Sequence, residues 1–98
     1  MGSSYKSAAF LIESRLADAA RGDPDACFDL GIAYSSGAGG LEIDLIEAHK
    51  WFNLAAVSGL AAAQGARTEV AEDMTAREIA TAQAAARAWL GTTRRMAA

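Results

Sequence analysis

The sequence predicts an all-α protein, a short α-solenoid of about five helices arranged as antiparallel helix pairs in an α/α superhelix. Alanine fills 25 of the 98 positions, whereas valine fills two and proline one, and this composition favours helix over sheet. Glycines follow helix-length stretches where they can adopt the left-handed C-cap conformation. Helix signals also recur about 37 residues apart, which is typical of stacked helix pairs.

The first two helices are predicted from apolar spacing and from one N-cap. A helix over about 4–20 carries an apolar stripe at three- and four-residue spacing. The second helix begins after Asp23, a good N-cap residue, with Pro24 at the first helical position, and ends near Ser36. The residues of the first stripe are Tyr5, Ala9, Ile12, Leu16 and Ala19.

The later helices begin with stronger signals. Asp44 with Glu47, and Thr75 with Glu78, each have the spacing of a capping box. Gly91 is expected to end the last helix. The predicted helices are 44–58, 60–72 and 75–90.

Two pairs of segments define the repeat. Residues 23–26 correspond to 60–63, an offset of 37, and 48–52 correspond to 86–90, an offset of 38. One residue inserted in a loop reconciles the two offsets. Helix pairs recurring at this period favour a solenoid over a bundle of unrelated helices.

Specific residues carry a family resemblance. The pattern consists of Ala26, Leu30, Gly31, Tyr34, Gly37, Gly39, Asp44, Ala48, Trp51, Phe52, Ala55, Ala56 and Gly59. It resembles the Sel-1-like repeat, a relative of the tetratricopeptide repeat. The resemblance implies one domain over 1–98, divided into a partial repeat helix at 4–22, a full repeat at 23–59, a degenerate C-terminal repeat at 60–91 and a tail at 92–98. The degenerate unit lacks the Leu-Gly and Tyr positions, which suits a C-terminal cap.

The motif residues are expected to form the core. Small residues let helix backbones approach, and large ones fill the space between neighbouring pairs. The predicted core residues are Leu30, Gly31, Tyr34, Ala48, Trp51, Phe52, Ala55 and Ala56.

Charge and cysteine usage exclude several classes of protein. The net charge of −3 argues against a nucleic-acid binder. Cys27 is the sole cysteine, so an internal disulfide is excluded and a reducing, cytoplasmic location is expected. No stretch approaches the ~20 apolar residues of a membrane-spanning helix. Peripheral association with the inner face of a membrane, through a partner, stays open.

No catalytic residue, cofactor or metal site is expected. His49 lacks an evident partner and is interpreted as a half-exposed helix residue, and Cys27 as small apolar filler. The glycine-rich segment 36–40 lacks the strand and Gly-Lys-Ser/Thr signature of a phosphate loop. The acidic patch is interpreted as a solvated helix end and Arg94-Arg95 as a frayed tail; the patch comprises Glu69, Glu72 and Asp73.

A protein partner is expected to cover surface that so few repeats leave open. Three regions are candidate binding surfaces. The first is a groove formed by Asp29, Ile32 and Ser36 on one helix, with Gln64 and Arg67 nearby. The second is the end of the last helix, with Trp89, Leu90 and Met96. The third is the first helix, which carries apolar residues on more than one face, namely Tyr5, Phe10, Leu11 and Ile12.

Three functions stay open at this stage. The favoured one is a non-catalytic protein-interaction module, an accessory or adaptor subunit of a larger complex such as a bacterial respiratory enzyme. The others are a regulator that binds a signalling protein transiently, and a small enzyme. Copurification at fixed stoichiometry separates a subunit from a regulator that dissociates on dilution.

Overall fold

A computed structural model describes the backbone of residues 3–97 and the side chains of residues 10–95. The predicted contributions of Tyr5, Ala9 and Met96 involve side chains outside that range, as does Ala98 of the predicted tail. The described chain contains helices and no strand, so the all-α class is confirmed. The elements are α1 (Ser3–Ala20), α2 (Pro24–Ser36), a 3-10 turn (Ala38–Gly40), α3 (Leu45–Val57), α4 (Ala62–Ala71) and α5 (Ala76–Ala97).

Local hydrogen bonds begin the helices where the sequence predicts. The Asp23 carboxylate accepts from the backbone N–H of Asp25 at 3.0 Å, and Pro24 occupies the first helical position. At the start of α5, the N–H of Glu78 donates to the Thr75 hydroxyl at 3.1 Å, while the N–H of Thr75 donates to the Glu78 carboxylate at 2.8 Å. The capping box predicted at Thr75 is therefore confirmed.

The end of α5 differs from the prediction. The helix continues through Gly91 to Ala97 instead of ending near residue 90, so residues 92–97 are helical, and their interpretation as a frayed tail was wrong. A glycine inside a helix costs only about 1 kcal/mol relative to alanine, which does not by itself stop a helix. Arg94 and Arg95 lie in the last turn, where cations stabilise the helix dipole.

Helix α3 is the element against which α2, α4 and α5 pack. The pairs α1–α2, α2–α3 and α3–α4 pack in sequence order. Arg15 in α1 meets Asp29 in α2, and Asn53 in α3 meets Arg67 in α4. Helix α5 makes its extended contact with α3 instead of α4. Both helices of the predicted unit 60–91 therefore pack on α3 rather than on each other.

The core lies on the buried faces of α2 and α3, with alanines from the other helices. Trp51 and Phe52 are the largest side chains in it and are 1% exposed. Tyr34 and Ala56, which were predicted as core residues, are half-buried at its edge. The other predicted core residues are buried, namely Leu30, Gly31, Ala48 and Ala55.

One aromatic cluster joins α3 to α5. The rings of Trp51 and Trp89 meet edge to face with centroids 4.9 Å apart, a favoured geometry for aromatic pairs. The Lys50 ammonium lies 4.5 Å from the Trp51 ring centroid and 5.7 Å from that of Trp89. This cluster fastens the C-terminal half of α5 to α3.

The capping box predicted at the start of α3 forms only in part. The Asp44 carboxylate accepts from the N–H of Glu47 at 3.1 Å. The return bond of a capping box would run from the N–H of Asp44 to the Glu47 carboxylate. It is absent among these described residues, because the N–H of Asp44 donates to the carbonyl of Tyr34 at 2.9 Å. The Glu47 carboxylate instead accepts from the indole N–H of Trp51 at 3.0 Å. The tertiary bond of Asp44 to Tyr34 thus replaces the return bond of the cap, and the Glu47 carboxylate bonds to Trp51 one turn along α3.

Gly31 makes the close packing of α2 against α3 possible. A Cβ added at Gly31 would lie 2.5 Å from two carbons of the Phe52 ring. The Phe28 ring also packs against that ring, with centroids 5.4 Å apart. The Phe52 ring is confined by both neighbours and has little freedom to yield.

We therefore expect Gly31→Ala to destabilise the fold by about 1–3 kcal/mol through overpacking. Gly65 provides a matched control, because it lies inside α4 with no atom within 4 Å of an added Cβ. Gly65→Ala should stabilise by about 0.5–1 kcal/mol through helix propensity. Urea denaturation followed by circular dichroism measures both changes. Equal stabilisation by the two substitutions would contradict the contact between Gly31 and Phe52.

Candidate functional site

A groove lies between α2 and α4, with α3 as its floor. It forms because α2 and α4 each pack on α3 and make little contact with each other. Its volume is about 300 Å³, about twice that of an apolar cavity that admits benzene. The lining residues are Ile32, Ser35, Leu45, Phe52, Ala66, Glu69, Val70 and Asp73.

The inside of the groove is apolar and firmly supported. Phe52 forms part of the floor and is held by the contacts with Gly31 and Phe28. Ile32 lines the α2 wall and is 44% exposed. Val70 lines the α4 wall and is half-buried. A rigid apolar floor beside an exposed apolar wall is suited to receive an apolar side chain.

Carboxylates occupy the α4 edge of the groove. Glu69 and Asp73 line it, and Glu72 is the C-cap residue between them. None of the three forms an ion pair with a described side chain. They lie at the C-terminal end of α4, where the helix dipole disfavours negative charge. This edge therefore carries carboxylates that no described side chain pairs.

The binding stripe predicted on α2 is divided between two surfaces. Ile32 lines the groove as predicted. Ser35 lines it instead of Ser36, whose hydroxyl donates to the Ile32 carbonyl at 2.7 Å. Asp29 lies on the other side of α2, where it pairs with Arg15 at 3.0 Å.

The predicted groove residues on α4 lie outside the lining. Gln64 is exposed and lies two residues before Ala66, the first α4 residue of the lining, on a different face of the helix. Arg67 donates from its guanidinium to the side-chain oxygen of Asn53 and is half-buried. Arg67 therefore joins α4 to α3, and it forms no ion pair with the acidic edge.

The predicted binding residues of α5 belong to the packing of the fold. Trp89 and Leu90 are half-buried against the core, and Trp89 contacts Trp51 as described above. Trp89 thus connects α5 to α3, and Leu90 packs against the same core. Their use as partner contacts stays a prediction.

The sequence interpretation missed most of the α4 contribution to the groove. Glu69 and Asp73 were assigned to a solvated helix end, and Ala66 and Val70 were not assigned a role. These two apolar residues follow Ala63 at three- and four-residue spacing, the helical signal that could have found the face. The pairing of this face with Ile32 required the tertiary structure.

His49 is buried, so its interpretation as a half-exposed residue was wrong. The side chain is 3% exposed, and its Nδ1 atom has no hydrogen-bond partner among the side chains and backbone that the structure describes. Burial, followed by the positive charge of Arg67, lowers the pKa of the imidazole. His49 is therefore neutral at physiological pH and acts as a packing residue of α3.

Cys27 lies in the core, in agreement with its interpretation as apolar filler. Burial, followed by the negative charge of Asp23, raises the pKa of the thiol to about 11. The helix N-terminus beside it does not offset these effects. The thiol stays protonated near neutral pH and is a poor nucleophile.

A second cavity of about 260 Å³ lies between α1, α2 and the 3-10 turn. Arg15 and Asp29 form an ion pair on its wall. The segment 36–40 beside it connects two helices, as the sequence interpretation held. The remaining lining residues are Leu11, Ile12, Ala33, Ala38 and Gly39.

Within the described residues, His, Cys, Asp and Glu side chains form no group of three or more that could hold a metal ion. No helix of that part of the chain has the length and apolarity needed to cross a membrane. Comparison with protein-family models, curated proteins and solved structures finds no match to this chain. The groove is the candidate site on its geometry alone.

The buried imidazole should make stability depend on pH. Because the pKa of His49 is lower in the folded chain than its ordinary value of about 6.5, the unfolded chain takes up the proton first as pH falls. Stability should therefore be constant above about pH 7 and decrease below about pH 6.5. Urea midpoints between about pH 8 and pH 5 measure this. His49→Leu should remove most of the decrease, and an unchanged decrease would contradict the assignment.

The thiol of Cys27 should be protected in the folded chain. Because its pKa is about 11, alkylation by iodoacetamide at about pH 8 should be over ~100-fold slower than in urea-unfolded chain. Ser58→Cys in the Cys27→Ala background is an exposed control thiol. Mass spectrometry measures both rates. Equal rates for Cys27 in folded and unfolded chain would place the thiol at the surface.

Proposed function

We propose that this protein is a non-catalytic protein-interaction module that docks on a larger protein through the α2–α4 groove. The observation that carries the proposal is the exposed Ile32 wall beside the fixed Phe52 floor. Apolar surface that is preformed and solvent-facing gains free energy when a partner covers it. The rigidity of the floor reduces the entropy that binding would cost.

The ionisable residues of the described chain support binding rather than chemistry. His49 is buried and neutral, and Cys27 is buried and protonated. Neither residue lines the groove. A module that works by shape needs no activated side chain at its binding surface.

Further exposed apolar residues support an accessory subunit of a larger assembly. Phe10 and Leu11 on α1 are 70% and 54% exposed, and neither lines the groove. A chain of 98 residues with two apolar regions fits between components of a complex. The proposed setting is the cytoplasm, on a complex such as a bacterial respiratory enzyme, which would bring the chain to the inner face of a membrane.

Copurification of the tagged full chain from its native source tests this proposal. The groove variant is Ile32→Asp, and the control is Val57→Asp, which changes an exposed apolar residue outside the groove. We expect the unchanged chain and the control to retain a partner through size exclusion at fixed stoichiometry. Ile32→Asp should lose it, because a carboxylate in the groove requires desolvation.

Circular dichroism establishes that both variants are folded. A partner that dissociates on dilution would favour the transient regulator over the subunit. Absence of any stoichiometric or transient partner would contradict the interaction module. Retention of the partner by folded Ile32→Asp would place the interface elsewhere.

A further inference from the structure

The charge of the α2–α4 groove identifies the chemistry of its partner. Two of its lining residues are carboxylates, Glu69 and Asp73, and none of its lining residues is cationic. Among the helices that form the groove, α2 has no lysine or arginine, and those of α3 and α4 are engaged elsewhere. Lys50 pairs with Glu47 at 3.1 Å, and Arg67 donates to Asn53.

The position of these carboxylates makes a cation favourable there. Helix α4 has no basic residue in its last turn, and the acidic cluster lies at that end. The partial negative charge at a helix C-terminus repels negative side chains. A positive group placed there is therefore stabilised both by the carboxylates and by the helix dipole. The described carboxylates do not converge into a group able to hold a metal ion. A long, flexible basic side chain suits this edge better.

The apolar half of the groove requires a second property in the partner. The floor of Phe52 and the walls of Ile32 and Val70 lie next to the acidic edge. An occupant must therefore present an apolar side chain and a basic side chain from one face. Glu69 lies in the last turn of α4, and Asp73 lies in the turn that follows the helix. A helix with basic residues one turn apart on one face can present a charge to each of them.

We infer that the groove binds a basic amphipathic helix of another protein, with an apolar residue against Phe52 and lysine or arginine beside Glu69 and Asp73. This inference rests on the proposed function and specifies the class of partner. The apolar contact supplies most of the affinity, because exposed ion pairs contribute little each. The ion pairs orient the helix and exclude acidic segments.

Synthetic peptides test the inference directly on the full chain. The probe is a fluorescein-labelled helical peptide of about 15 residues, with leucines along one stripe and arginines one turn away. A second peptide replaces each arginine by glutamate, and a third replaces each leucine by serine. Fluorescence anisotropy should show binding of the first peptide only, weakening as salt concentration rises.

Matched variants locate the site. Glu69→Gln with Asp73→Asn should weaken binding about fivefold. Glu13→Gln with Glu42→Gln changes the net charge equally at exposed positions outside the groove and should leave binding unchanged. Ile32→Ala should also weaken binding about fivefold, whereas Val57→Ala should not.

Equal binding of the arginine and glutamate peptides, absence of binding by all three, or equal effects of the paired charge variants would overturn the inference. The proposed function has a separate readout in the copurified partner. If that partner is lost on Ile32→Asp while the arginine peptide does not bind, the groove is a docking site and the basic partner is wrong. If the peptide binds but no partner copurifies, the chemistry of the groove is supported and the proposed function fails.

Discussion

The packing of Phe52 against Gly31 is the contact on which the rest of the structure depends. Because Gly31 has no side chain, the Phe52 ring occupies the space in which a Cβ would lie. The α2 backbone can therefore approach α3 closely, and Leu30 is fully buried beside this contact. The same ring forms part of the groove floor. One small residue thus sets both the helix spacing and the depth of the candidate site.

Packing of three helices on α3 explains how a short chain forms a core and still leaves a groove. Small domains bury only a limited fraction of their surface. Because three helices pack on α3, one helix provides the buried surface for three contacts. Helices α2 and α4 occupy different sides of α3, and α5 is attached through Trp51 and Trp89. Since α2 and α4 make little contact, the surface between them stays open. The groove is therefore a direct consequence of how the core is shared.

Some polar side chains bond to the partners that the local sequence pattern predicts, and others do not. Thr75 and Glu78 satisfy each other within one turn, so their pattern could be interpreted from neighbours in sequence. Glu47 has the same spacing from Asp44, yet it accepts from the indole of Trp51. His49 was placed at the surface because its neighbours in sequence do not reveal which side of α3 faces α4. Propensity and spacing describe a helix, whereas burial depends on its rotation against other helices.

The sequence by itself determined the helical class, the starts of the capped helices and most of the core, because these follow from composition, capping and periodicity within a few residues. Only the tertiary structure decided that Glu69 and Asp73 stand beside Ile32 and Phe52, that His49 is buried, and that α5 continues past Gly91. The first two depend on contacts between residues far apart in the chain, and the third on a glycine cost of about 1 kcal/mol, which does not by itself end a helix.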